Sequence, residues 1–100
     1  MYKIRTSTDK HALAKQIAHK LVESHAAVSV HIREINSVYE WQNKIEDITE
    51  WEVEALVSNP QDADEIISQL HDYDLPEFII TDVVASNDIE NWCRQWCYKK

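Results

Sequence analysis

Val28-Ser29-Val30-His31-Ile32-Arg33-Glu34-Ile35-Asn36-Ser37-Val38-Tyr39-Glu40-Trp41-Gln42-Asn43-Lys44-Ile45 is the stretch on which the fold turns. Val28, Val30 and Ile32 alternate with Ser29, His31 and Arg33, the two-residue period of a half-buried strand that begins at about Ala27. The alternation falters over Glu34-Ile35-Asn36-Ser37 and resumes through Trp41, which predicts one long strand with a bend or bulge. Gln42-Asn43 supplies a tight reversal, because Asn tolerates positive φ better than other non-glycine residues. A second long strand follows. Ile45 and then Trp51, Val53, Ala55 and Val57 alternate with Glu50, Glu52, Glu54 and Leu56, and Ile48-Thr49 shifts the phase once more. The whole hairpin, Ala27 to Ser58, is too long for a sheet whose other strands run about seven residues, so its outer half must overhang the domain. An overhanging aromatic hairpin with free edges needs a partner, and a second copy of the chain is the economical choice.

Outward toward the N-terminus, Tyr2, Ile4, Thr6 and Thr8 alternate with Lys3, Arg5 and Ser7, a further strand. Thr8-Asp9 predicts a helix start with the acid near the positive end of the helix dipole. Leu13, Ile17 and Leu21, with Ala14, Ala18 and Val22, form its apolar stripe, and the helix ends near Ser24. Toward the C-terminus, Asn59-Pro60 joins an N-cap to a proline at the first helical position, ahead of the buried face Ala63, Ile66, Ile67 and Leu70. Phe78-Ile79-Ile80, continuing to Val83-Val84, predicts a strand buried on both faces. Ser86-Asn87-Asp88 caps a last helix with Ile89, Trp92, Cys93 and Trp96 at helical spacing. The order β-α-β-β-α-β-α predicts an α+β, ferredoxin-like split βαβ sandwich with its helices on one face.

One hundred residues make one domain, 1–100, with a modest core. Four Trp, four Tyr and one Phe are a generous aromatic supply for that length, enough to furnish an interface as well. Ten basic against eighteen acidic residues give a net charge of −8, which disfavours nucleic acid and anionic membrane surfaces as partners. Met1-Tyr2-Lys3-Ile4-Arg5 lacks the apolar core of a signal peptide, so the expected location is the cytoplasm. There Cys93 and Cys97 are expected as free thiols. The sequence contains no glycine, which excludes the glycine-dependent phosphate loops of Walker and Rossmann sites.

Ser37-Val38-Tyr39-Glu40-Trp41-Gln42-Asn43-Lys44-Ile45 resembles the hairpin signature of the CutA family of divalent-cation tolerance proteins. That signature is a serine, then Tyr-x-Trp, then Gly-Lys-Ile, and here Asn43 takes the glycine's place. Glu52-Val53 is similar to the start of the family's third strand. His71-x-Tyr73-x-x-Pro76-Glu77, followed by Ile79-Ile80, resembles its His-Pro-Tyr-x-x-Pro-Glu segment, with Asp72 replacing the proline. Trp92 falls near the family's C-terminal Tyr-x-x-Trp, and the likeness spans about Lys3 to Trp96. The resemblance implies a trimeric CutA-like fold, a homotrimer whose long hairpins extend the sheets between subunits, and a metal-linked or signalling role without enzyme activity. It assigns Tyr39, Trp41, Lys44, Glu52, Tyr73, Pro76, Glu77 and Trp92 to the family signature and to contacts between subunits. Cysteines that some members carry fall at Arg5, Val28 and near Ile66 here, so a copper site built on them is absent and only His71 remains of the metal-implicated positions. The trimeric plan also resembles PII signalling proteins, whose intersubunit cleft takes a small metabolite.

Among the residues themselves, His71-Asp72-Tyr73-Asp74 sets an imidazole beside two carboxylates and a phenol, a nitrogen and oxygen set suited to weak binding of copper or zinc. The competing reading has His71 capping the second helix and Tyr73 packing at an interface. No other cofactor is expected. Cys93 and Cys97, one helical turn apart, read as a buried thiol and one at the edge of the stripe, and less readily as a soft ligand pair. Glu50, Glu52 and Glu54 share one strand face and require counter-charge, from Arg33, Lys44 or a neighbouring subunit. No Ser-His-Asp or Cys-His set is suggested by motif.

Overall fold

In the computed structural model, which describes residues 1–99, seven elements follow in the predicted order. They are β1 (Tyr2–Thr8), α1 (His11–Glu23), β2 (Ser29–Trp41), β3 (Lys44–Val57), α2 (Pro60–Leu70), β4 (Ile79–Asp82) and α3 (Asn87–Cys97). The strands form one antiparallel sheet in the order β2-β3-β1-β4. The fold is α+β and ferredoxin-like. Ile4 of β1 and Val53, Ala55 and Val57 of β3 meet Ala14, Ile17 and Leu21 of α1 and Ala63 and Ile67 of α2 in the buried core. Each fully buried Leu or Ile there contributes about 1.5–3 kcal/mol by leaving water. Side chains alternate along a strand, so Lys3, Arg5 and Ser7 of β1 and Glu50, Glu52 and Glu54 of β3 lie on the opposite, open face.

The hairpin departs from expectation in one respect. β2 and β3 pair without a slip from Ser29↔Leu56 to Trp41↔Lys44, so neither Glu34–Ser37 nor Ile48-Thr49 is a bulge. What changes along the hairpin is the apolar face. Val30 and Ile32 pack on the helix side, whereas Ile35, Tyr39, Trp41 and Ile48 belong to the open face. A regular backbone whose hydrophobic side switches midway yields the same phase shift in sequence as a bulge. At the tip Gln42 and Asn43 both take positive φ, 51° and 65°, the two-residue reversal that matches strand twist. The Asn43 N–H donates to the Glu40 carboxylate at 2.9 Å, which pins the turn without glycine. The overhang stretches the molecule to 44 × 24 × 20 Å and leaves Val38 62% and Ile45 82% exposed.

Three further expectations are corrected. β4 is a four-residue edge strand with β1 as its one sheet neighbour, and Ile79 and Ile80 are half-exposed instead of buried on both faces. α1 begins at His11, with Asp9 outside its first turn. The Thr8 hydroxyl accepts from the Lys10 N–H, and Asp9 pairs with the Lys10 ammonium. α3 packs through Cys93 and Cys97, both buried, against Val28, Met1, Leu56 and Trp96. Ile89 and Trp92 therefore stay exposed, and Cys97 is not at an exposed edge. The caps at Asn59 and Ser86 are as expected: their side chains accept from the N–H groups of Gln61 and Ile89.

Candidate functional site

α2 ends at Leu70, and the next residue carries the chain back to β1. The His71 N–H donates to the Ile67 carbonyl at 2.8 Å, closing the helix. The His71 ring is fully buried and its Nε2 lies 2.7 Å from the Ser7 carbonyl oxygen. A carbonyl only accepts, so Nε2 carries the proton and Nδ1 is left as the acceptor. That acceptor receives the Tyr73 N–H at 3.1 Å. The two bonds fix the loop, and the phenol of Tyr73 then donates to Glu50 at 2.7 Å on the open face of β3. Burial first, and the Glu50 carboxylate second, push the Tyr73 phenol far above its ordinary range, so it stays a donor.

Beside Glu50 runs a ladder of charge. Glu52, buried, accepts from Arg5 at 3.1 Å and from Arg33. Burial alone would raise its carboxyl, but the two guanidinium groups outweigh that and hold it below the usual carboxylate range. Arg5 reaches on to Glu77 at 2.8 Å, and Lys3 pairs with Glu54 at 3.3 Å. Of the counter-charges expected from sequence, Arg33 serves and Lys44 does not, since Lys44 stands exposed at the hairpin turn. Lys3 and Arg5 do the rest.

Arg5, Glu50, Tyr73 and Glu77 border an open groove of about 810 Å³ between the hairpin and the 72–77 loop. Tyr39, Trp41, Tyr73, Pro76, Glu77 and Glu50 line it together with Arg5. Sequence reasoning had not joined Arg5 or Ser7 to this region. Their strand alternation places them on the right face, but Ser7 lies 64 residues from His71 and no local pattern links them. Trp92 lies elsewhere, on α3 at the far end of the sheet, half-exposed. Glu52 sits just outside the groove and buttresses Arg5.

A divalent ion does not fit the His71 segment as folded. Both ring nitrogens are engaged, the Tyr73 phenol is committed to Glu50, and Asp72 pairs with Lys10 at 2.7 Å. Among the described residues no group of three or more His, Cys, Asp or Glu side chains converges to hold a metal ion.

Residues 3–96 match the family model of the CutA1 divalent ion tolerance protein. The chain belongs to the CutA1 family. Solved CutA structures share the fold closely. CutA from the plant pathogen Xylella fastidiosa is 27% identical, with a TM-score of 0.89 and 96% of each chain covered. The PII-like protein CutA from Nostoc sp. PCC 7120, in apo form, is 23% identical, with a TM-score of 0.91 and 98% of each chain covered. The periplasmic divalent cation tolerance protein CutA from Archaeoglobus fulgidus is 22% identical, with a TM-score of 0.91, covering 97% of this chain and 99% of that one. No curated protein matches the sequence. Among the described residues of this CutA1 member, no helix is long and apolar enough to cross a membrane.

Proposed function

We propose that this CutA1-family chain acts as a homotrimeric, non-enzymatic scaffold or sensor in divalent-cation tolerance, in the cytoplasm. The observation that carries the trimer is a pair of unfilled edges at opposite ends of one sheet. β2 offers a free edge along an overhanging hairpin whose tip exposes Val38, Tyr39, Trp41 and Ile45. β4 offers the other edge, with Ile79, Ile80 and Val84 exposed beside it. Two different patches that complement one another make a heterologous contact, and such contacts form a ring where the rotation between copies closes. Three copies closed this way pair every edge strand. Tyr39, Trp41, Lys44, Tyr73, Pro76 and Glu77 then lie at or near the junction between subunits.

Hydrogen exchange tests the pairing. Amides of Ile79–Asp82 on the side away from β1 should exchange as slowly as those of β3. Exchange of those amides at the rate of an open strand would overturn the contact.

A second reading rests on the groove. An aromatic and acidic cleft at a subunit junction suits a small metabolite, and the Nostoc relative is itself described as PII-like. A thermal-shift screen across a metabolite panel separates the two readings, because a ligand raises the midpoint by mass action only if the cleft binds it. As for weak copper or zinc binding at His71, the protonated Nε2 and the engaged Nδ1 argue for a latch instead, and the cation linkage of the family needs donors other than that ring.

A further inference from the structure

The buried charge that lines the groove lacks a cation. Glu50 is 4% exposed, and its Oε2 accepts the Tyr73 phenol, a neutral donor. Among the described residues its Oε1 meets neither a hydrogen-bond donor nor a cation, although a buried charge is ordinarily paired. The imbalance extends along the groove. Asp9, Glu40, Glu50, Asp72, Asp74 and Glu77 line it with one cationic side chain, Arg5. Arg5 is divided between Glu52 and Glu77, and Lys10, outside the lining, serves both Asp9 and Asp72. Glu40, Glu50 and Asp74 are left without an ion pair among the described residues. Tyr39 and Trp41 of β2 present half-exposed rings to the same space. Burial first, and then the charges of Glu50, Glu46 and Asp9, push the Tyr39 phenol up, so the field at that wall is negative.

We propose that the groove binds a linear organic dication, an aliphatic diamine or polyamine, with one ammonium at Glu50 beside the Tyr39 and Trp41 rings and a second at Asp74. This names the ligand class of the cleft in the second reading above and rests on that reading. A primary ammonium brings Glu50 both things it lacks, a donor for Oε1 and an opposite charge. Ring faces carry negative potential and attract a cation placed over them. The methylene spacer of a diamine matches Ile35, Ile48 and Leu75, which supply the apolar part of the lining. An inorganic divalent ion needs a converging shell of oxygens, and among the described residues no three acidic, His or Cys side chains converge. An anion would meet carboxylates that nothing offsets. A groove of about 810 Å³ has the size of a small-molecule site. Every residue named here belongs to one chain, so the contacts exist whatever the assembly.

The test is isothermal titration calorimetry of the full chain at low salt with putrescine and spermidine, and with butylamine, glutamate and magnesium for comparison. Putrescine and spermidine should bind at one site per chain, and added salt should weaken both. Butylamine, with one ammonium, should bind at least about tenfold more weakly than putrescine. Glu50→Gln keeps an acceptor for the Tyr73 phenol and removes the charge. It should weaken putrescine at least about tenfold, with circular dichroism reporting the parent fold. Trp41→Leu should weaken putrescine about threefold to tenfold. Asp74→Asn should weaken putrescine and leave butylamine as it was. Putrescine bound equally by the parent and by Glu50→Gln would mean general attraction to a chain of net charge −8, and would overturn the site. Magnesium bound as tightly as putrescine would overturn the choice of an organic cation. Amines that give no heat while glutamate or a neutral metabolite binds would overturn the ligand class and leave the second reading standing. A parent protein that binds nothing in the metabolite panel, amines included, would overturn both.

Discussion

Tyr73 donates its phenolic proton to Glu50 at 2.7 Å, tying the loop after α2 to the open face of β3 across 23 residues of sequence. Glu50 is 4% exposed, so its carboxylate depends on that donor. Tyr73→Phe should cost about 1–3 kcal/mol in urea unfolding, the penalty for stranding a buried charged acceptor. Glu50→Gln with Tyr73→Phe should cost less than the two single changes summed, because the second change removes what the first left unpaired. Strict additivity would show that the bond carries no coupling.

Glu52 sets an acid limit on stability. Its carboxyl is held below its ordinary range in the folded chain by Arg33 and Arg5, so the unfolded chain binds the proton more readily. The stabilisation is therefore complete above the unfolded pKa, about 4.3, and is lost as pH falls through the lower folded value. Unfolding free energy of the parent should drop more steeply between about pH 5 and pH 3 than that of Glu52→Gln. Parallel curves for the two proteins would remove Glu52 from the acid response.

His71 holds the segment that the groove depends on. Replacing it by Ala removes a buried ring and leaves the Ser7 carbonyl without its donor, so stability should fall by about 2–4 kcal/mol. Zinc added to the parent should leave the His71 ring resonances in place, since neither ring nitrogen is open. Resonances that shift or vanish on addition of one equivalent of zinc would mean that the latch opens to take an ion.

The hairpin turn is tuned by a residue other than glycine. Asn43→Val places a β-branched side chain at φ 65° and should destabilise the chain by about 1–2 kcal/mol. Asn43→Gly should be tolerated within about 1 kcal/mol, since relief of strain and the added freedom of the unfolded chain oppose one another. Thermal melts of the three proteins order these effects, and equal midpoints for Val and Gly would refute the strain.

Much of the fold was legible because its signals are local. Asn59-Pro60 and Ser86 announce their helices, and Gln42-Asn43 announces the turn. The errors arose where a local pattern has two physical sources. A hydrophobic face that changes sides between Ile32 and Ile35 reads like a bulge, and the apolar run Phe78–Val84 reads like a central strand although it borders an edge. The site was legible only in pieces. His71 and Tyr73 stand out in sequence, but their partners Ser7 and Glu50 are 64 and 23 residues away and carry no motif. The choice between ligand and latch for His71 rests on which nitrogen meets which group, and that is a property of the folded chain alone.

Mass measurement of the native assembly at micromolar concentration, with bound species retained, should give three times the 11.8 kDa chain mass. Val38→Asp together with Ile45→Asp should shift the parent species to monomer, because both side chains are exposed at the overhanging tip. A parent protein that runs at the mass of one chain would contradict the trimer, and with it the assignment of the groove to a junction between subunits.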